Sequence, residues 1–450
     1  MQRVKITPEL RAKIDPTGKA WKFLKAMVRT DPVPVPKELG KWDRDQWLRR
    51  YTKLIRGFGG SRHQEYISWN MGYQSKYAGQ GATLPLADLQ QQYVPFYENA
   101  AFVPQFQKVL LGRDYLLARI RDRVERVGYP QPSQVWDFGV TGTAGALPTM
   151  GHKGDFITES MRGPFYRHVQ PDLPGQRHQR SKHRVINQDA TGNVRLWERE
   201  ITAIRDWLKR EFPEYFSAWI NPRVVLQPSI THKISTKLFT SVELDYEHCD
   251  EHFSLPLAME VVYPIYCALM PGETTQVLFG AYLEELFNQP IYMGDELWTG
   301  LHNLLSGQII TNDFETIYDV CLEIGCILSL KMSPEDVLLL VCGDDQAAVL
   351  NEPQIWGERL MYDLRAEAAL NGMPTNDKCR MSTTSVQFCR KMYYPAGPKD
   401  YDGNLIGAYP TVLCLNNVVN PERALRSRAE RLKSELQRLD VSCGSPEWAQ

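Results

Sequence analysis

Two apolar runs, Val337-Leu338-Leu339-Leu340-Val341 and Gln346-Ala347-Ala348-Val349-Leu350, stand on either side of Cys342-Gly343-Asp344-Asp345. Short runs of this kind around a tight Gly/Asp turn predict a buried β-hairpin. Such a hairpin would lift two carboxylates, Asp344 and Asp345, out of a buried sheet at its tip. A plain turn uses the same residues, since Gly and Asp are favoured turn formers. Gly-Asp-Asp alone therefore decides nothing about chemistry.

Other segments supply partners for that hairpin. Leu238 to Leu244 reads as a short strand at the end of a stretch, Asn221 to Leu244, that mixes β-branched residues with Pro222 and Pro228. Leu257 to Met270 is long and apolar enough for a buried helix, with Pro264 expected to kink it. From Thr311 onward, Phe314, Ile317, Tyr318, Cys321 and Ile324 recur at helical steps with one apolar face. Near the end, Asn420 and Pro421 can start a helix carrying Leu425, Ala429, Leu432, Leu436 and Leu439 on one stripe.

Composition narrows the class. With 450 residues the chain exceeds one ordinary core, so several subdomains or a large enzyme are expected. No apolar run approaches the roughly 20 residues that a membrane-spanning helix needs, so no membrane partner is expected. The start, Met1-Gln2-Arg3-Val4-Lys5, offers no apolar leader. Nine cysteines are scattered without a Cys-x-x-Cys pair, which reads as thiols in a reducing compartment.

Net charge is only −1, but its distribution is uneven. Residues 1–60 hold 15 Lys/Arg against 6 Asp/Glu, and Arg162 to Arg184 hold six against one. Those stretches are the candidates for phosphate contact, although a charge run is also what any solvated face looks like. Pro32-Val33-Pro34-Val35-Pro36 reads as a short, stiff strap, so the first hundred residues are expected to drape over a larger body.

Phosphoryl transfer by two cations needs hard oxygen ligands a few ångströms apart, and two or three carboxylates suffice because Mg²⁺ keeps some water. Asp245-Tyr246-Glu247-His248-Cys249-Asp250 follows the Leu238–Leu244 run. If that strand lies beside the hairpin, Asp245 can share ions with Asp344, and Asp250 falls near the sugar of a nucleotide. A surface acidic cluster is the alternative. Ser306-Gly307-Gln308-Ile309-Ile310-Thr311-Asn312 offers a flexible turn with hydroxyls and an amide for a ribose or a base, or simply a helix-capping turn.

The order Asp-x4-Asp, then Ser-Gly-x3-Thr, then an apolar strand with Gly-Asp-Asp resembles palm motifs A, B and C of viral RNA-dependent RNA polymerases. The spacings, about 60 and then about 40 residues, fit as well. Four flanking segments extend the resemblance. Thr143-Ala144-Gly145-Ala146-Leu147-Pro148 looks like motif G, and Gln179-Arg180-Ser181-Lys182-His183-Arg184-Val185-Ile186 like motif F, with Lys182 and Arg184 on one face. Asn376-Asp377-Lys378, after the helix-like Glu358 to Leu370, resembles motif D. Val386-Gln387-Phe388-Cys389-Arg390-Lys391 resembles motif E. The match spans Thr141 to Lys391 and is most similar to picobirnaviruses and partitiviruses, which have double-stranded RNA genomes. One departure concerns the position four residues after Thr311, where many relatives carry Asn. Here it is Glu315, so ribose sensing falls to Asn312 or is shared among Asp250, Ser306 and Thr311.

The resemblance implies an α/β (α+β) right-hand polymerase, with an antiparallel palm sheet flanked by helices. It implies an arm over residues 1–100 bridging fingers and thumb, fingers over 101–235 and a palm over 236–384 with a fingers insertion at about 270–300. Motif E and a small thumb would occupy 385–450. The implied catalytic and metal-binding residues are Asp245, Asp344 and Asp345 with Mg²⁺ or Mn²⁺, and Lys378 is the general acid. Lys182, Arg184, Asp250, Ser306, Gly307, Thr311 and Asn312 would bind the nucleotide. Gly145, Pro148, Arg180, Arg390 and Lys391 would touch template or primer RNA. Partners would be RNA, ribonucleoside triphosphates and a viral capsid protein, and the setting the virion interior and host cytoplasm. Two other readings stay open: a reverse transcriptase, which usually has an aromatic residue where Cys342 stands, and a catalytically silent RNA-binding or capsid-associated protein.

Overall fold

The computed structural model describes residues 1–15, 18, 21, 22, 24, 64–72, 86–131, 143, 144, 151, 152, 173–178, 183–188, 197–219, 225–235, 238–410 and 413. The apolar hairpin sits in a four-stranded sheet, in the order Arg380–Ser382, Thr240–Leu244, Asp345–Leu350, Leu338–Cys342. Every neighbouring pair is antiparallel. Cys342 pairs with Asp345, so the turn is Gly343-Asp344 alone. A two-residue hairpin turn needs a positive φ at its first position, and Gly343 supplies it at 61°.

Period-two alternation divides these strands between two cores. Val242, Leu244, Leu339, Val341, Ala348 and Leu350 face the main core. Leu338, Leu340, Ala347 and Val349 face the other way, onto Leu226, Ile230, Ile234, Val386 and Phe388. Both faces are thus covered, which is why the two runs contain almost no polar residue.

The helix Thr311–Ser329 underlies the sheet and is buried along most of its length. It crosses the helix Lys108–Val127 at two glycines. A Cβ on Gly112 would stand 1.8 Å from the Cys321 carbonyl oxygen, and one on Gly325 would stand 1.8 Å from that of Lys108. Only hydrogen side chains allow backbones to meet this closely.

Pro264 does perturb its helix, but through a local change of pitch. Leu255–Leu257 runs into a π-turn, Ala258–Val262, and then into Tyr263–Leu269. Proline cannot donate to the carbonyl four residues back, and that carbonyl, Glu260 O, instead accepts from Arg113 Nη1 at 2.7 Å. Two boundaries differ from the sequence reading. The strand begins at Thr240, and before it lies a helix, Leu226–Ser235, that the two prolines concealed. Pro228 sits in its first turn, where no backbone N–H has an intrahelical partner to lose.

The N-terminal segments reach different parts of the body. Gln2–Lys5 pairs with Glu296–Thr299, and Leu86–Glu98 packs on Ile291, Trp298 and Leu305. Gln64–Gly72 lays Tyr66 against Met392, Tyr394 and Ala408. Among the described residues no helix is long and apolar enough to cross a membrane. The Pro32–Pro36 strap and the helix expected after Asn420 lie outside the described residues.

Candidate active site

The register of the central sheet assembles the site. Gln346 pairs with Leu244, so one step further the chain sets Asp245 across from Asp345, on strands that run about 4.8 Å apart. Asp245 leaves the strand end half exposed, and Asp344 and Asp345 are exposed at the hairpin tip. The sequence reading expects the Asp245 and Asp344 carboxylates to converge, and the register puts the strand end and the turn at the same end of the sheet.

Beyond Asp245 the chain pairs with the segment after the helix Gln354–Leu370. Tyr246 bridges Thr375, and Asn376 N donates to Asp245 O at 3.0 Å. The Asn376 side-chain amide donates to Asp245 Oδ1 and, at 3.0 Å, to Tyr246 O. Its own Oδ1 accepts from the Lys378 N–H at 2.7 Å, fixing the turn that carries Lys378. Lys378 Nζ then stands 3.5 Å from Asp245 Oδ1.

Negative charge is concentrated behind the tip. Burial pushes the Asp250 carboxyl above the usual carboxylate range, and Asp344 adds to the effect. Burial pushes Glu315 well up, reinforced by Asp344, Asp250 and Asp319. Asp319, four residues on, is likewise raised by burial and by Asp344, against the opposing bond that Tyr246 Oη donates to its Oδ1 at 2.5 Å. Glu323 completes this buried column, its pKa raised by burial and by Asp319. Neither Glu323 carboxyl oxygen has a hydrogen-bond partner among the described residues.

The Ser-Gly loop meets the strand His183–Gln188 that carries Arg184. Asn187 N donates to Ser306 O at 3.1 Å. Gly307 has φ of 107°, and a Cβ there would lie 2.4 Å from Asn187 O. Tyr93 Oη donates to Asn187 Oδ1 at 2.7 Å, tying this strand to the helix Leu86–Glu98. Thr311 Oγ1 donates to Leu305 O at 3.1 Å and closes the loop at the start of its helix. Asn312 Oδ1 accepts from Trp219 Nε1 at 3.3 Å. Arg390 is at the turn of a second hairpin, Val386–Phe388 with Lys391–Tyr393, where Cys389 and Arg390 both have positive φ. That hairpin is fastened to the central sheet by Gln387 N, which donates to Glu243 Oε1 at 2.7 Å. Arg380 holds Glu243 with two bonds, at 2.8 and 3.0 Å.

Gly145, Pro148, Arg180 and Lys182 lie outside the described residues, and of Arg184 only the backbone is described, paired with Arg177. Thr316 and Trp219 were not singled out from the sequence. Thr316 lies one helical turn after Asn312, so it shares that residue's face, but nothing in its type distinguishes it from any helix Thr.

Among the described residues no three His, Cys, Asp or Glu side chains close into a ready cage for a metal ion. The donor set nevertheless fits Mg²⁺, which is held by one or two carboxylates while water and substrate phosphates complete its shell.

No protein-family model matches the chain, and no curated protein matches it in sequence. Solved structures do. The RNA-dependent RNA polymerase of a human picobirnavirus superposes with a TM-score of 0.79 at 15% identity, over 98% of this chain and 87% of that one. An insertion-loop deletion mutant of a human picobirnavirus RNA-dependent RNA polymerase gives 0.77 at 16%, over 97% and 89%. What is shared at that identity is the fold, so the chain has the right-hand architecture of these viral polymerase structures, with its antiparallel sheet as the palm.

Proposed function

We propose that the chain is an RNA-directed RNA polymerase that copies a viral RNA genome. The observation that carries this reading is the meeting of Asp245, Lys378 and the Asp344-Asp345 tip at one end of the central sheet, on this fold.

Asp245, Asp344 and Asp345 would hold two Mg²⁺ or Mn²⁺ ions, which when bound activate the attacking hydroxyl and neutralise the departing pyrophosphate. Lys182 and Arg184 clamp the triphosphate. Asp250, Ser306, Gly307, Thr311 and Asn312 line the ribose side. Gly145, Pro148 and Arg180 guide template, while Arg390 and Lys391 support the primer strand. The primer 3′-hydroxyl forms a new ester bond to the α-phosphorus as the α–β anhydride bond breaks. Lys378 gives a proton to the leaving pyrophosphate, and most of the acceleration comes from positioning and fixed charge.

The corresponding division is an arm over residues 1–100, fingers over 101–235, palm over 236–384 and motif E with a small thumb over 385–450. Template and product RNA and ribonucleoside triphosphates are the partners. A capsid protein and a place inside the virion and the host cytoplasm belong to the same reading.

The test is incorporation on a short RNA template, comparing ribonucleotides with deoxyribonucleotides in Mg²⁺ and in Mn²⁺. Preferential ribonucleotide incorporation supports the reading. Preference for deoxyribonucleotides would make it a reverse transcriptase, and RNA binding with no product would make it a silent binding protein.

A further inference from the structure

The turn that carries Asp344 is held from below. In a two-residue hairpin the ladder ends at Cys342 and Asp345, so the buried N–H of Gly343 has no strand partner and must find another. It donates to Thr316 Oγ1 at 2.8 Å. The same hydroxyl donates onward to Asn312 O at 2.6 Å, which fixes its lone pairs toward Gly343.

A second support comes from Asn312. Indole N–H is a donor only, so the amide atom facing Trp219 Nε1 at 3.3 Å must be Oδ1. The amide nitrogen is thereby turned to the hairpin, where it would stand 2.7 Å from a Cβ on Gly343. Trp219 is itself stacked on Phe216, ring centroids 5.1 Å apart. The Ser217–Trp219 turn lies against the strand Leu338–Cys342, so the chain from tryptophan to catalytic turn is continuous.

We propose that Thr316 is a positioning residue for the catalytic turn, and that Trp219, through Asn312, is its outer support. Thr316 touches neither substrate nor ion; it sets where the Asp344 carboxylate stands by holding the backbone one residue earlier. The inference rests on the polymerase reading for its kinetic consequence, though not for its structural one. It also gives Asn312 a use besides ribose contact.

The test compares wild type with Thr316→Val, Thr316→Ser and Trp219→Phe. Amide hydrogen exchange of the metal-free protein is read at Gly343. RNA synthesis is read as kcat, nucleotide KM and the Mg²⁺ concentration giving half-maximal rate. T316V removes the hydroxyl at nearly constant shape. Its Gly343 amide should exchange about tenfold faster, the loss of one buried hydrogen bond. Its kcat should fall on the order of 10²-fold, as misplacement by about an ångström does, with nucleotide KM nearly unchanged and a higher Mg²⁺ requirement. T316S keeps the hydroxyl and should restore most of both. W219F should fall between wild type and T316V, and it carries the test if T316V does not fold. Unchanged exchange at Gly343 in T316V, or equal loss in T316S and T316V, would overturn the role of Thr316. W219F matching wild type would overturn the outer support. Absence of RNA synthesis by the wild type would overturn the polymerase reading instead, while the exchange measurement still decides the contact.

Discussion

Lys378 Nζ stands 3.5 Å from Asp245 Oδ1, which joins the proton donor expected from one end of the sequence motifs to the metal ligand expected from the other. Asn376 bonds both residues and sets their separation. Lys378→Met should lower kcat about 10²-fold or more, the usual contribution of a positioned general acid, with little change in nucleotide KM. Because the Lys378 side chain is 66% exposed, melting temperature should stay the same. Single-turnover incorporation beside a thermal melt checks both, and an unchanged rate would remove Lys378 from the mechanism.

Gly112 and Gly325 allow the helices Lys108–Val127 and Thr311–Ser329 to touch through their backbones. Neither helix can yield locally, since the atoms in the way are main-chain carbonyls. Gly325→Ala or Gly112→Ala should therefore destabilise by about 3 kcal/mol or more, at the upper end of overpacking costs. Urea unfolding measures it. Loss below about 1 kcal/mol would show that the crossing is looser than these contacts require.

Arg205 meets Asp313 with bonds of 2.8, 3.1 and 2.8 Å, and the Asp313 side chain is 1% exposed. Arg205→Met would leave that carboxylate buried without its partner, at a cost of about 3–5 kcal/mol. Asp313→Asn in the same background should recover part of the loss, because it removes the stranded charge. A double-mutant cycle in urea reads the recovery, and additive losses would deny the coupling.

Glu323 gives a pH signature. Burial, with Asp319, raises its folded pKa well above the ordinary value, so the folded state holds a proton that the unfolded chain releases near pH 4.3. Its contribution is therefore fully present below that pH and is lost as pH rises toward the folded pKa. The loss runs at about 1.4 kcal/mol per pH unit. Glu323→Gln removes this titration, so the variant should gain on wild type as pH rises above the unfolded value of about 4.3. Parallel stability curves over that range would contradict a raised Glu323.

The hairpin, the helix from Thr311 and the strand before Asp245 were legible because each has one dominant signal: an unbroken apolar run or a strict helical period. The order of carboxylates along the chain names the candidate residues, and the register brings the Asp245 strand end and the Gly343-Asp344 turn to one end of the sheet. What stayed hidden depends on distant partners. Leu226–Ser235 was obscured by Pro228, whose compatibility with a first helical turn cannot be told from its presence alone. Thr316 and Trp219 matter through a hydrogen bond to Gly343 and one to Asn312, made across 27 and 93 residues of sequence. The buried column of Glu315, Asp319 and Glu323 looks, in sequence, like the polar stripe of a surface helix. The central sheet turns that stripe inward, Tyr246 at its strand end donating to Asp319, while the Lys108–Val127 helix covers the face that carries Cys321 and Gly325.

The central claim is that Asp344 serves RNA-templated phosphoryl transfer. It is tested most directly by radiolabelled ribonucleotide incorporation on a short RNA, with wild type and Asp344→Ala assayed side by side in Mg²⁺. The wild-type chain should yield product complementary to the template, and the variant none above background while keeping its melting temperature. A folded Asp344→Ala protein that extends RNA at the wild-type rate would contradict the assignment.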